Sequence, residues 1–147
     1  MSGFSRNLLT GLAILLAEHD VGDWSPIGKY GDDQRAITIG GLPARPDEAI
    51  ALAVYGTGGD DVEQSDSTVL VQVRMRAKTD PRVADDFADA VFDVLHGVAD
   101  MRLSTGVLVL LARRTTVAPL GRDASGRWER ADSYELLAYR PSPNRPD

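Results

Sequence analysis

The chain has 147 residues, 43% hydrophobic and 26% charged, which suits one globular domain with a core of its own. It has no cysteine, so disulfides, thiolate nucleophiles and Cys-ligated zinc or iron–sulfur centres are excluded. A net charge of −6 argues against a sequence-reading DNA binder, which is normally basic over at least one face.

Phe4 to His19 predicts a helix. Phe4, Leu8, Leu12, Leu15 and Leu16 form one stripe, Ser2 or Ser5 is its expected cap, and Val21-Gly22 its expected stop. This start lacks a small-residue cleavage site, and its apolar run is too short and amphipathic to span a bilayer. Neither a leader nor a membrane partner is expected. Trp24-Ser25-Pro26 opens an irregular passage, and Lys29 to Gln34 is polar and turn-like. Trp24 has two readings: a core aromatic under the first helix, or an exposed contact.

Arg35 to Gly40 predicts a short strand, and Gly41 to Asp47 a turn whose two prolines a central strand does not hold. Glu48 to Tyr55 predicts a second strand, with Ile50, Leu52 and Val54 on one face; its alanines leave helix open. Gly56 to Asp66 is a glycine- and acid-rich exposed loop.

Ser67 to Gly97 is the organising stretch. Val69, Val71, Val73 and Met75 alternate with Leu70, Gln72, Arg74 and Arg76, as in a strand buried on one face. Asp80-Pro81 then starts a helix that runs to about Val98, with Asp80 as N-cap. Its apolar stripe is Val83, Phe87, Val91, Val94, Leu95 and Val98; Asp85, Asp86, Asp89 and Asp93 crowd the other faces. Met101 to Leu103 is extended. Val107 to Val117 predicts a long strand closed by Pro119, and Asp123 to Gly126 a hairpin turn. Trp128 to Arg140 predicts the last strand, and the proline-rich 141–147 carries no packing signal.

The expected fold is therefore α+β: a mainly antiparallel or mixed sheet of four to five strands with two helices on one face. Residues 1–140 form the expected single domain and 141–147 a disordered tail.

No catalytic, cofactor or metal site emerges. Gly56-Thr57-Gly58-Gly59 lacks the lysine and Ser/Thr of a phosphate-binding loop. Asp60, Asp61, Glu63 and Asp66 do not have calcium-loop spacing, and the helix aspartates suit a helix dipole. His19 and His96 stand near helix ends without a nucleophile's context. Arg74, Arg76, Arg113 and Arg114 are strand-borne and have two readings: a solvated face, or interface ion pairs, which the bidentate fork of arginine favours.

Several segments carry a resemblance, in order over roughly residues 35 to 140. They are Ile39-Gly40-Gly41-Leu42-Pro43, Pro46 to Leu52, Tyr55-Gly56-Thr57-Gly58-Gly59, Val71 to Arg76, Val94-Leu95-His96-Gly97, Pro119 to Asp123, and Gly126-Arg127-Trp128-Glu129. With the leucine-rich first helix, they resemble a family of small proteins of long-tailed phages, described as minor capsid proteins and grouped with the tail terminators. One departure is Ala131 to Tyr134, where the family has an asparagine before the aromatic.

The resemblance implies a non-enzymatic structural protein of the virion, assembled in the host cytoplasm and placed at the head–tail junction. It implies a hexameric ring that caps the tail tube, meets the head connector or stopper protein, and lets viral DNA pass non-specifically through its bore. The alternatives are another head–tail joining protein or a tail-tube subunit, and more remotely a small hydrolase. The expected interface residues are Gly56, Gly58, Gly59, Asp60, Asp61, Glu63, Arg74, Arg76, Arg113, Arg122 and Asp123.

Overall fold

The computed structural model describes residues 2–146. In chain order they form α1 (Phe4–Glu18), β1 (Asp23–Trp24), β2 (Ala36–Ile39), β3 (Ala49–Thr57), β4 (Asp66–Arg76), α2 (Pro81–Leu95), β5 (Ala99–Arg102), β6 (Leu108–Arg122) and β7 (Trp128–Tyr139). All strands belong to one mixed sheet in the order β1-β2-β3-β4-β7-β6-β5. The β1–β2 and β2–β3 pairs are parallel and the others antiparallel. The fold is α+β with two helices, as expected, but the sheet has seven strands rather than four to five. The extra strands are its outermost members, β1 of two residues and β5 of four. Neither is long enough for side-chain alternation to mark it.

β4 is the middle strand of the seven. Val69, Val71, Val73 and Met75 are buried and pair with β3 on one side and β7 on the other. They join Ile37, Ile50, Leu52, Tyr134 and Leu136 on one sheet face, and both helices close over that face with Leu8, Leu12, Leu16, Phe87, Val91 and Leu95. The opposite sheet face carries no helix. Register shifts at Val54/Gly56, Val109/Leu111, Arg114/Thr116 and Pro119/Gly121 mark bulges, which bend strands and increase their twist.

The helix boundaries differ in detail from expectation. The N-cap of α1 is Gly3, with no side-chain cap; neither Ser2 nor Ser5 serves. Its stop is Asp20 rather than Gly22. Asp20 takes φ 59°, its N–H donates to the Ala17 carbonyl, and the Val21 N–H donates to the Leu16 carbonyl, the paired bonds of a Schellman ending. An aspartate tolerates the left-handed region better than most residues, so the position escapes a search for glycine. α2 starts as expected: the Asp80 carboxylate accepts from the Arg82 N–H at 3.0 Å, with Pro81 behind it. It ends at Leu95, and Gly97 at φ 89° turns the chain away before Val98.

Pro119 does not close β6, which continues to Arg122. Beyond Leu111 no strand flanks β6 on its outer side, so the missing N–H of proline costs no ladder bond there. Arg145 donates to the Gln64, Asp66 and Arg140 carbonyls and to Ser67 Oγ, pinning the tail across the base of the β3–β4 loop. Asp147 lies outside the described residues.

Candidate assembly surface

The β3–β4 hairpin ends in the loop between Thr57 and Asp66. Its base is fixed. Gly58 donates its N–H to the Thr68 carbonyl, and a Cβ there would stand 2.8 Å from Thr68 Cγ2, so only glycine fits. Gly56 sits in β3 at a bulge opposite Leu70, and Gly59 takes φ 91°. Arg145 holds the far side at Gln64 and Asp66. Between these anchors Asp60, Asp61, Val62 and Glu63 are exposed, with Asp61 Oδ1 accepting from the Glu63 N–H at 2.8 Å. Val62 is 78% exposed, an apolar tip among carboxylates.

The β6–β7 turn is at the other end of the sheet. Register fixes this: Asp66 lies opposite Tyr139, and Arg76 opposite Glu129. At about 3.3 Å per residue, the ten steps of β4 separate the two ends by roughly 33 Å. Asp123 is engaged inside its turn. Its carboxylate accepts from the N–H groups of Arg127 and Ser125, each at 2.9 Å, and from Arg127 Nε at 2.8 Å. The Arg127 backbone bond, with the neighbouring donors, holds the Asp123 carboxyl below its ordinary range. Arg127 also reaches the Ala44 carbonyl and Asp47. Arg122 is exposed and stands over the Trp128 ring at 5.5 Å.

The arginine cluster divides. Arg74 and Arg113 lie on the uncovered sheet face, paired with Glu129 at 2.6 Å and Glu135 at 3.3 Å. Arg114 turns to the helix side, over the Phe92 ring at 4.4 Å. Arg76, also among the expected interface residues, is buried within the subunit. It is 3% exposed, and its guanidinium donates to the Asp47, Pro43 and Pro46 carbonyls at 2.6 to 2.8 Å. The 40–48 passage folds over the end of β4, a long-range contact that alternation along one strand does not reveal. The expected residues therefore occupy two opposite ends and one face, not one patch.

Both sheet edges are blunted. On β6 the Ala112 carbonyl accepts from the Gly97 N–H, the Ala112 N–H donates to the Val98 carbonyl, and the Arg114 N–H donates to His96 Nδ1. Further along, Pro119 removes a donor. β1 is two residues long and Pro26 follows closely. Short edges and edge prolines are how sheets resist edge-to-edge pairing. Loops, a groove and the uncovered sheet face are the surfaces left open.

A groove of about 580 Å³ lies between the start of α1 and the β1–β2 edge. Trp24 is half-buried, packing on the core while also lining this groove, so it fills parts of both expected roles.

Sequence reading missed a buried ionic group beneath α2. Asp132 is fully buried and accepts from Arg130 at 2.8 and 3.1 Å; Arg114 stands 3.5 Å from it, and Arg130 reaches Asp85 at 3.0 Å. Burial, with Asp132 near by, pushes the Tyr134 hydroxyl pKa upward. The signal was present, since Arg130 and Asp132 share the inward parity of Tyr134 and Leu136. His19 Nδ1 contacts the Leu15 carbonyl, and His96 stacks on Phe92. Among the described residues, no group of three or more His, Asp or Glu is placed to hold a metal. Among the described residues, no helix is long and apolar enough to cross a membrane.

Comparison with known proteins places this geometry. A virion structure of a native gene transfer agent particle contains a chain of the same fold, with TM-score 0.60 and 14% identity, covering 87% of this chain and 94% of that one. No curated protein matches. Residues 15–140 match the family described as bacteriophage tail terminator protein. That family is structural rather than enzymatic, and its place is in the virion. With most of its length inside that match, the chain belongs to the bacteriophage tail terminator family.

Proposed function

We propose that this protein terminates the phage tail as a ring, hexameric as in the expectation above. The ring caps the tail tube, meets the head connector or stopper on its other side, and leaves a bore for DNA. The observation that carries this reading is the family match over residues 15–140. The geometry supports it in two ways. A joint must offer unlike surfaces to two partners, and the chain has unlike ends about 33 Å apart, an acidic loop at one and an arginine–tryptophan turn at the other. Blunted edges also favour a closed assembly over an open sheet. A net charge of −6 suits passage of DNA without retention, since tight binding needs phosphates neutralised by cations. Residues 1–140, which hold every strand and helix, serve as the ring's single domain.

The test is light scattering on the purified full chain, followed by imaging of tails. A ring species and density at the head–tail joint are expected. A strict monomer never found at that joint would overturn the reading.

A further inference from the structure

We propose that the acidic loop Gly59–Gln64 of one copy inserts Val62 into the α1 groove of the next copy, and that this is the head-to-tail contact of the ring. The inference rests on the ring reading above and names the surfaces that build it. The groove is lined by nine residues, among them Ile14, Trp24, Pro26 and Ile39. Arg6 is its one charged lining residue; no carboxylate lines it, in a chain that carries 22 acids. Arg6 has no ion-pair partner among the described residues.

The loop is the complement. It presents one large apolar side chain, Val62, flanked by Asp60, Asp61 and Glu63, none of which is ion-paired among the described residues. An apolar tip with carboxylates on both sides matches an apolar cleft with a cation at its wall. Arg145 and Gly58 hold the loop base, so little ordering entropy is lost when the tip docks.

The loop lies where β7 ends and β6 begins. The groove reaches toward that end at Thr105, in the β5–β6 turn, which donates to the Asn7 carbonyl of α1. Its other wall lies further along the strands: Ile39 pairs with Leu52, in the row of Val73. Loop and groove are unlike surfaces, so their contact is head-to-tail, and repeated it closes a ring where the rotation permits.

The chain has no cysteine, which makes the test direct. In the full chain, Val62→Cys with Thr10→Cys and a short thiol-to-thiol crosslinker is expected to give a ladder of covalent species ending at the closed ring. Each single variant should give none. Val62→Asp is expected to raise the protomer concentration needed for half-assembly by about tenfold or more, with unchanged circular dichroism. Arg6→Glu should do the same, and Asp61→Arg should partly restore it. If the wild type forms rings while Val62→Asp and Arg6→Glu assemble at its concentration and no ladder appears, the docking is wrong and the ring reading stands. If the wild type itself stays monomeric, the ring reading falls and takes this contact with it. A ladder that stops at dimers replaces the head-to-tail contact with a two-fold exchange and overturns it.

Discussion

Arg74 and Arg76 are two residues apart on β4, and the structure gives them opposite roles. Arg74 makes a half-exposed ion pair with Glu129. Such pairs contribute little because water competes for both partners, so Arg74→Ala should cost no more than about 1 kcal/mol. Arg76 organises the 40–48 passage through three carbonyls. Its removal leaves those acceptors without donors under a covering loop, at a cost of roughly 2–4 kcal/mol. Urea unfolding of both variants checks the contrast; equal losses would contradict it. Asp132 is a stronger case of the same logic. Removing it leaves Arg130 and Arg114 facing each other beneath α2 with no buried anion between them. Asp132→Ala should cost about 3–5 kcal/mol, and Asp85→Ala, at the exposed end of the same group, under about 1 kcal/mol. None of these assignments follows from residue type. Four arginines on strands look alike until the fold sets two of them toward the solvated face, one beneath a loop and one beneath a helix.

At the scale of elements, much was legible because period and caps are local. The alternation of β4 and β7, the Asp80-Pro81 start of α2 and the Asp123–Gly126 turn all rest on residues within a few positions of one another. β1, the start of β5 ahead of the extended Met101 to Leu103, and the extension of β6 past Pro119 were not legible. Each depends on pairing with a strand six to thirteen residues away, not on alternation within its own few residues. The β6–β7 turn also carries a pH dependence. Its Asp123 carboxyl is held below the ordinary value of 3.8 by the Arg127 N–H, the Arg127 guanidinium and the Ser125 N–H. Asp80 is likewise lowered, chiefly by the Arg82 side chain. A folded pKa below the unfolded one adds stability above about pH 4 and loses it as pH falls through the folded value. Thermal midpoints should therefore drop as the pH falls below about 4. Asp123→Asn should flatten part of that drop, and it should lower the midpoint at pH 7. An unchanged acid slope in this variant would show that the turn's bonds do not stabilise the fold.

For the whole molecule, the separation of two ends is the property most relevant to a joint. One sheet spans the subunit, and β4, β7 and β6 run its full length. The 57–66 loop and the 122–128 turn are held at a fixed distance from each other, because a paired sheet does not stretch. The turn closes on itself through Asp123 and Arg127, and its exposed tip residues Ala124 and Ser125 hold nothing beyond the single bond from the Ser125 N–H to Asp123. A short Gly/Ser insertion between them should leave the thermal midpoint within a few degrees, since exposed tips tolerate added length. It should also leave assembly of the purified chain intact, because the loop assigned to that contact is at the other end and no turn residue lines the groove. The expected defect is in joining. Electron microscopy of particles carrying the insertion should show heads and tails made but unattached, or tails of uncontrolled length, according to which partner the turn meets. Wild-type titre from such particles would mean that this end of the subunit meets neither partner.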